Sequence, residues 1–156
     1  FDIFCEKTKL DVRLLIIGEP MWKNKDTKNI FQKLKHKNRI LSLGRKEIEE
    51  LTKIAASAIA LTFVPHFEGF GIPLAEAMYC HTPIITSNVS CLPEIAGNTA
   101  IYAKPNDINS IADAMEEMCL NKEKRNKLIQ NCKIRKTTFS WDKTAKEVWS
   151  VLKQNW

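Results

Sequence analysis

The chain has 156 residues, 44% of them hydrophobic and 27% charged, with a formal net charge of +6. A domain of this size buries about 68–70% of its unfolded surface and needs neither disulfides nor metal to hold a core; its apolar runs are too short to span a bilayer. Five scattered cysteines (Cys5, Cys80, Cys91, Cys119 and Cys132), with no Cys-x-x-Cys pair, argue against a disulfide framework or a zinc knuckle and for a reducing, cytoplasmic location.

Residues 1–10 read as the end of a helix entering a strand. The chain also opens on Phe1 with no leader-like stretch, so it is expected to be part of a longer polypeptide. The apolar run at Val12–Ile17, closed by Gly18, predicts a strand buried on both faces of a sheet. Asn24–Lys37 is helix-like, with Ile30, Phe31 and Leu34 on one side. Nine basic residues between Lys23 and Lys46 (Lys23, Lys25, Lys28, Lys33, Lys35, Lys37, Arg39, Arg45 and Lys46) face Asp26 as the only acid. This basic stretch reads either as a solvated helix surface or as an attractor for anionic nucleotide sugars or an acidic membrane surface. Nucleic acid is disfavoured: no reader motif is present and no aromatic residues interleave the lysines.

Arg39–Leu43 predicts a second strand closed by Gly44, Lys46–Ser57 a helix with acids early in it, and Ile59–Val64 a third strand stopped by Pro65. A helix from about Pro73 to Cys80 and a strand at Pro83–Thr86 follow a Gly-rich loop. Ser90 is expected to cap a short helix ending at Gly97. Ala100–Ala103 is a last strand, and Asn109–Leu120, Lys122–Arg135 and Trp141–Lys153 are three closing helices, the last capped by Ser140. Strands alternating with helices at this spacing predict one α/β domain, a Rossmann-like parallel sheet flanked by helices. Such sheets bind ligands at the carboxyl ends of their strands.

Pro65–Glu76, between the third strand and the next helix, carries the chemistry. Gly69 and Gly71 let backbone N–H groups approach a ligand with no Cβ in the way, and Pro73 suits a first helical turn. Free N–H groups and the positive end of a helix dipole make an anion site there. Glu68 precedes the glycines. Glu76 lies about one turn into the helix, where a side chain tilts back toward the N-terminus. Two carboxylates at one mouth can accept several hydroxyl hydrogen bonds; equally, Glu76 can serve the helix dipole and Glu68 can be a solvated loop residue.

Glu68 and Glu76, separated by seven residues, resemble the Glu-x7-Glu motif of retaining glycosyltransferases of family 4 (glycosyl transferases group 1), which have two-domain GT-B architecture. Pro83–Asn88 with Leu92–Gly97, Phe139–Trp141 with Thr144–Ala145, and Leu41–Gly44 extend the resemblance over nearly the whole chain. It implies the C-terminal, donor-binding domain, with the N-terminal acceptor domain outside this sequence. It also implies hexose transfer from a nucleotide-diphosphate sugar to a hydroxyl acceptor with retention, in polysaccharide or glycoconjugate synthesis, with no metal. By the same resemblance Glu68 lies against the donor sugar and Glu76 bonds the ribose. Backbone N–H groups around Gly69, Phe70, Gly71, Ile72 and Leu74 meet sugar hydroxyls and diphosphate, and Leu43–Gly44 lies beside the base. The Gly18–Glu19–Pro20 turn borders the cleft.

The sequence departs from the family where Pro65–His66–Phe67 leads straight into Glu68, without the Ser and extra residue of many members. His66 is more often a structural or exposed residue in such a loop than a catalytic one. The family's diphosphate-binding Arg and Lys would fall before Phe1. Paired carboxylates also suit a glycosidase, although that chemistry needs no Gly loop at a helix N-terminus. A sugar-nucleotide epimerase and a non-catalytic nucleotide-binding or interaction module remain alternatives.

Overall fold

The structure, a computed structural model, describes residues 1–19 and 25–154. Its elements alternate as the sequence predicts: α1 (Asp2–Thr8), β1 (Leu14–Ile17), α2 (Lys25–Lys33), β2 (Ile40–Gly44), α3 (Ile48–Ser57), β3 (Leu61–Phe63), α4 (Ile72–Tyr79), β4 (Ile84–Ser87), α5 (Leu92–Ala96), β5 (Ala100–Ala103), α6 (Ile108–Leu120), α7 (Lys122–Arg135) and α8 (Trp141–Gln154). Local chemistry sets several of the boundaries. The Asp107 carboxylate accepts the N–H groups of Asn109 and Ser110, both at 3.0 Å, to open α6. Asn121 accepts from Lys124 N–H at 2.9 Å to open α7, and Ser140 accepts from Lys143 N–H at 3.4 Å at the start of α8.

All strand pairing is parallel, but it falls into two sheets: β1 with β2, and β3-β4-β5. The expected single sheet is therefore interrupted between β1 and β3, because no strand among the described residues hydrogen-bonds to both. In the three-stranded part, alternation along β4 sends Ile84 and Ile85 to opposite faces. Ile84 packs with Leu74, Ala77, Met78, Leu92, Ile95 and Cys132. Ile85 packs with Ile101, Ala103, Ala114, Met118 and Leu128. Every residue of β4 is buried.

The two-stranded part is different. Val12–Ile17 was expected to be buried on both faces, yet Leu15 and Ile16 are 39% and 44% exposed. Ile30 and Phe31 of α2 are exposed as well. Among the described residues from Glu6 to Phe70, none is buried. The pattern of β1 states what a parallel strand requires, and the described chain does not supply its second neighbour.

α1 bridges the two parts. Phe4 and Cys5 are buried against Ala112 of α6, while the Asp2 carboxylate accepts the His36 N–H at 2.7 Å and the Lys35 N–H at 3.1 Å ahead of β2. Part of the basic stretch is used in hydrogen bonds or ion pairs within the chain. Lys35 pairs with Glu6, Arg39 donates to the Leu10 carbonyl at 2.6 Å, and Lys46 lies 3.6 Å from Glu50. Lys23, like Pro20, lies outside the described residues. No helix among the described residues is long and apolar enough to cross a membrane.

Candidate functional site

The Pro65–Gly71 loop leaves the carboxyl end of β3 and enters α4, as a ligand site on a parallel sheet requires. Gly71 stands at the N-cap of α4 with φ +87°, and Pro73 follows in the first turn. A Cβ on Gly71 would meet Leu92 Cδ2 at 2.8 Å. Both the backbone conformation and the close packing therefore demand glycine here.

Glu68 is half-buried in this loop, whereas Glu76 is exposed one turn into α4. His66, Gly69, Phe70 and Ile72 are also exposed. The N–H groups of Gly69, Phe70, Gly71 and Ile72 donate to no protein acceptor among the described residues. Those of Gly71 and Ile72 are unsatisfied donors of the helix start, beside the positive end of its dipole, and those of Gly69 and Phe70 belong to the loop that leads into it. Leu74 differs from this set: its side chain is fully buried in the core and its N–H donates to the Gly71 carbonyl at 2.9 Å. The donors at the mouth thus end at Ile72. Phe70 is propped edge-on against Phe139, with centroids 6.0 Å apart, and the Arg135 guanidinium lies over the Phe139 ring.

The second group of sequence candidates lies on the other sheet. Gly18 N–H donates to the Gly44 carbonyl at 2.9 Å, joining the turns that close β1 and β2. Both glycines hold positive φ, +104° and +64°, and Leu43 and Glu19 flank them. The structure brings Gly18, Glu19, Leu43 and Gly44 together at the carboxyl ends of two strands. Among the described residues, no hydrogen bond ties them to the 65–76 segment.

Three side chains that sequence reasoning did not place at this loop reach it from the end of β4 and the turn after it. Ser87 Oγ donates to the Pro65 carbonyl and Ser90 Oγ to the Glu68 carbonyl, each at 2.6 Å. Cys91 Sγ reaches the same Glu68 carbonyl at 3.1 Å. Ser90 is therefore not the helix cap it was expected to be. Cys91 occupies the N-cap of α5, which has no side-chain cap. The only signal in the sequence was the pair of serines, Ser87 and Ser90, at and just after the end of a buried strand.

Residues 1–135 match the family described as Glycosyl transferases group 1. The chain is 30% identical over 112 residues to O-antigen chain mannosyltransferase B of Escherichia coli, an alignment covering 72% of the chain and 29% of that protein. It is 29% identical over 157 residues to an uncharacterized glycosyltransferase of Methanocaldococcus jannaschii, covering 98% of the chain and 44% of that protein. The fold superposes with a TM-score of 0.86 on Anabaena Alr3699/HepE in complex with UDP and glucose, at 17% identity, over 98% of the chain and 43% of that structure. The chain thus spans less than half the length of each.

Proposed function

The chain belongs to the glycosyl transferases group 1 family, as a C-terminal domain of GT-B architecture, and on that footing we propose that it supplies the donor half of a retaining hexosyltransferase. The reaction moves a hexose from a nucleotide-diphosphate sugar to a hydroxyl acceptor in polysaccharide or glycoconjugate synthesis. The observation that carries this reading is the half-buried Glu68 at the start of a loop whose four following N–H groups lack protein acceptors at the N-terminus of α4. Fixed N–H donors and a helix terminus stabilise negative charge on the departing diphosphate. The Glu68 carboxylate stabilises the sugar as it gains oxocarbenium character. Glu76, exposed on the first turns of α4, accepts from the ribose hydroxyls. Gly18, Glu19, Leu43 and Gly44 form the opposite border of the cleft, on the base side. The names of the relatives and the UDP-bound neighbour support a nucleotide-sugar donor of this general class.

The same reading assigns the rest of the catalyst to other sequence. β1 and β3 each have one strand neighbour among the described residues. A recess of about 360 Å³ lies between Leu15 on β1 and Lys53, Ile54, Ser57 and Ala58 at the end of α3. A further parallel strand from upstream sequence would join the two sheets in the order β2-β1-strand-β3-β4-β5, the doubly wound order. Acceptor contacts, and the basic groups that hold the diphosphate, then belong to segments outside this chain.

The test is Glu68→Gln in the full-length polypeptide, with donor binding and turnover measured separately. Loss of turnover with donor binding retained supports the role given to Glu68, and unchanged turnover overturns it. Thermal-shift titration with UDP, GDP and ADP sugars separates this reading from an interaction module, for which none would stabilise the protein. Release of a free epimer without any acceptor would mark an epimerase.

A further inference from the structure

The Pro65–Gly71 loop carries its proposed catalytic carboxylate without secondary structure of its own, yet it is held along its length by one segment. Ser87 bonds its first carbonyl, at Pro65. Ser90 and Cys91 converge on a single carbonyl, at Glu68. Leu92, fully buried, closes on Gly71 at the far end. All four come from one short stretch: Ser87 ends β4, the most buried strand, Ser90 and Cys91 lie in the turn after it, and Leu92 begins α5.

Ser90 shows that this arrangement is specific. Its φ is +57°, in the left-handed region that side chains other than those of Gly, Asn and Asp avoid. The residue is also exposed, so packing does not account for a side chain there. Gly would occupy the position more comfortably; what Gly lacks is the hydroxyl, and that hydroxyl is spent on Glu68. Strain held in place for one hydrogen bond is the mark of a positioned site. Two donors on the same carbonyl also fix the Glu68 backbone more tightly than one, and a carbonyl oxygen has two lone pairs to receive them.

We propose that Ser90 and Cys91, braced by Ser87, are positioning residues that fix the backbone of Glu68 and thereby aim its carboxylate at the donor sugar. Both bond the Glu68 carbonyl and act through Glu68. The proposal rests on the role assigned to Glu68 above and adds the residues on which that role depends.

The experiment is steady-state kinetics of the full-length polypeptide, varying the donor, for Ser90→Gly, Ser90→Gly with Cys91→Ala, Ser90→Gly with Cys91→Ser, and Glu68→Gln, each with its melting temperature. Ser90→Gly relaxes the backbone while removing the hydroxyl, so its fold should be as stable as the parent's or more so. A displaced group of this kind costs on the order of 10²-fold per ångström, so the Gly/Ala double variant should lose about tenfold or more in kcat, with donor KM within about threefold. Cys91→Ser, which restores a donor to the carbonyl, should recover part of the loss. Turnover within about twofold of the parent for the Gly/Ala variant, with Glu68→Gln inactive, overturns the clamp and leaves the role of Glu68 standing. Loss of turnover that merely follows a fall in melting temperature, with no recovery by serine, also overturns it. Full activity of Glu68→Gln overturns both.

Discussion

Gly71 and Leu92 meet with no space between them: a Cβ on Gly71 would stand 2.8 Å from Leu92 Cδ2, and Gly71 holds φ +87°. The loop that carries Glu68 is thus anchored at its far end by a contact only glycine permits. Replacing Gly71 with Ala adds left-handed strain and overpacking at once. We expect it to destabilise the domain by about 2–4 kcal/mol, read from urea unfolding. Leu92→Ala in the same background should recover part of the overpacking term and none of the backbone term, which separates the two causes.

Arg135 is a structural cation. Its guanidinium donates to the Ile95 carbonyl at 2.6 Å and to the Glu94 carbonyl, and it lies over Phe139 with 5.9 Å to the ring centroid. It satisfies the last turn of α5 and supports the aromatic pair behind Phe70. Arg135→Ala should cost about 1–3 kcal/mol by leaving carbonyls without donors. Arg135→Lys should restore little of this, because one ammonium does not reproduce the planar fork. Thermal unfolding of the two variants checks both statements.

His81 sits at the turn after α4 with φ +59°, its Nε2 2.8 Å from Lys136 Nζ. Desolvation, then Lys136 and Lys133, hold its imidazole below the usual histidine value. The folded state therefore resists a proton that the unfolded state accepts. Above about pH 6.5 both states are neutral and the group carries no penalty; below that value the unfolded chain binds the proton first and stability falls. His81→Asn, neutral and tolerant of positive φ, should flatten the decline in melting temperature between about pH 7.5 and pH 5.5 relative to the parent.

The Thr86 hydroxyl on β4 is fully buried with no hydrogen-bond partner among the described residues. Thr86→Val keeps the shape and removes the unpaired group. Chemical denaturation should show a gain of up to about 1–2 kcal/mol, with no loss of donor binding.

The sequence spelled out the elements more fully than their surroundings. Ala100–Ala103 and Lys122–Arg135 stand in the structure with the expected bounds. The second is fixed by a cap whose partner lies three residues away, so the signal is local. Ser90 misled because its partner is not local. A serine before a helix reads as a cap, yet its hydroxyl turns to a carbonyl 22 positions earlier in the chain. Non-local donors leave no periodicity to find. Val12–Ile17 misled for the opposite reason: its apolar pattern correctly announced a parallel strand, but burial depends on a neighbour that the described residues do not provide. For the candidate residues, the structure joined Gly18 to Gly44 and left Leu74 committed to the helix. Neither pairing was readable from spacing.

Every buried residue among those described lies in α1 or from Gly71 onward. Opening free energies follow buried contact, so amide protons of β1 and β2 should exchange with solvent through cheap local openings, while those of β4 wait for global unfolding. The two groups of candidate residues consequently keep different time. Glu68 and its amides, though not buried themselves, hang on the buried β4–α5 stretch through Ser87, Ser90 and Leu92, whereas the Gly18 and Gly44 turns close two strands with no buried residue. Within this chain taken alone, the loop that carries Glu68 is the better anchored of the two, and a strand added beside β1 should slow exchange in the other.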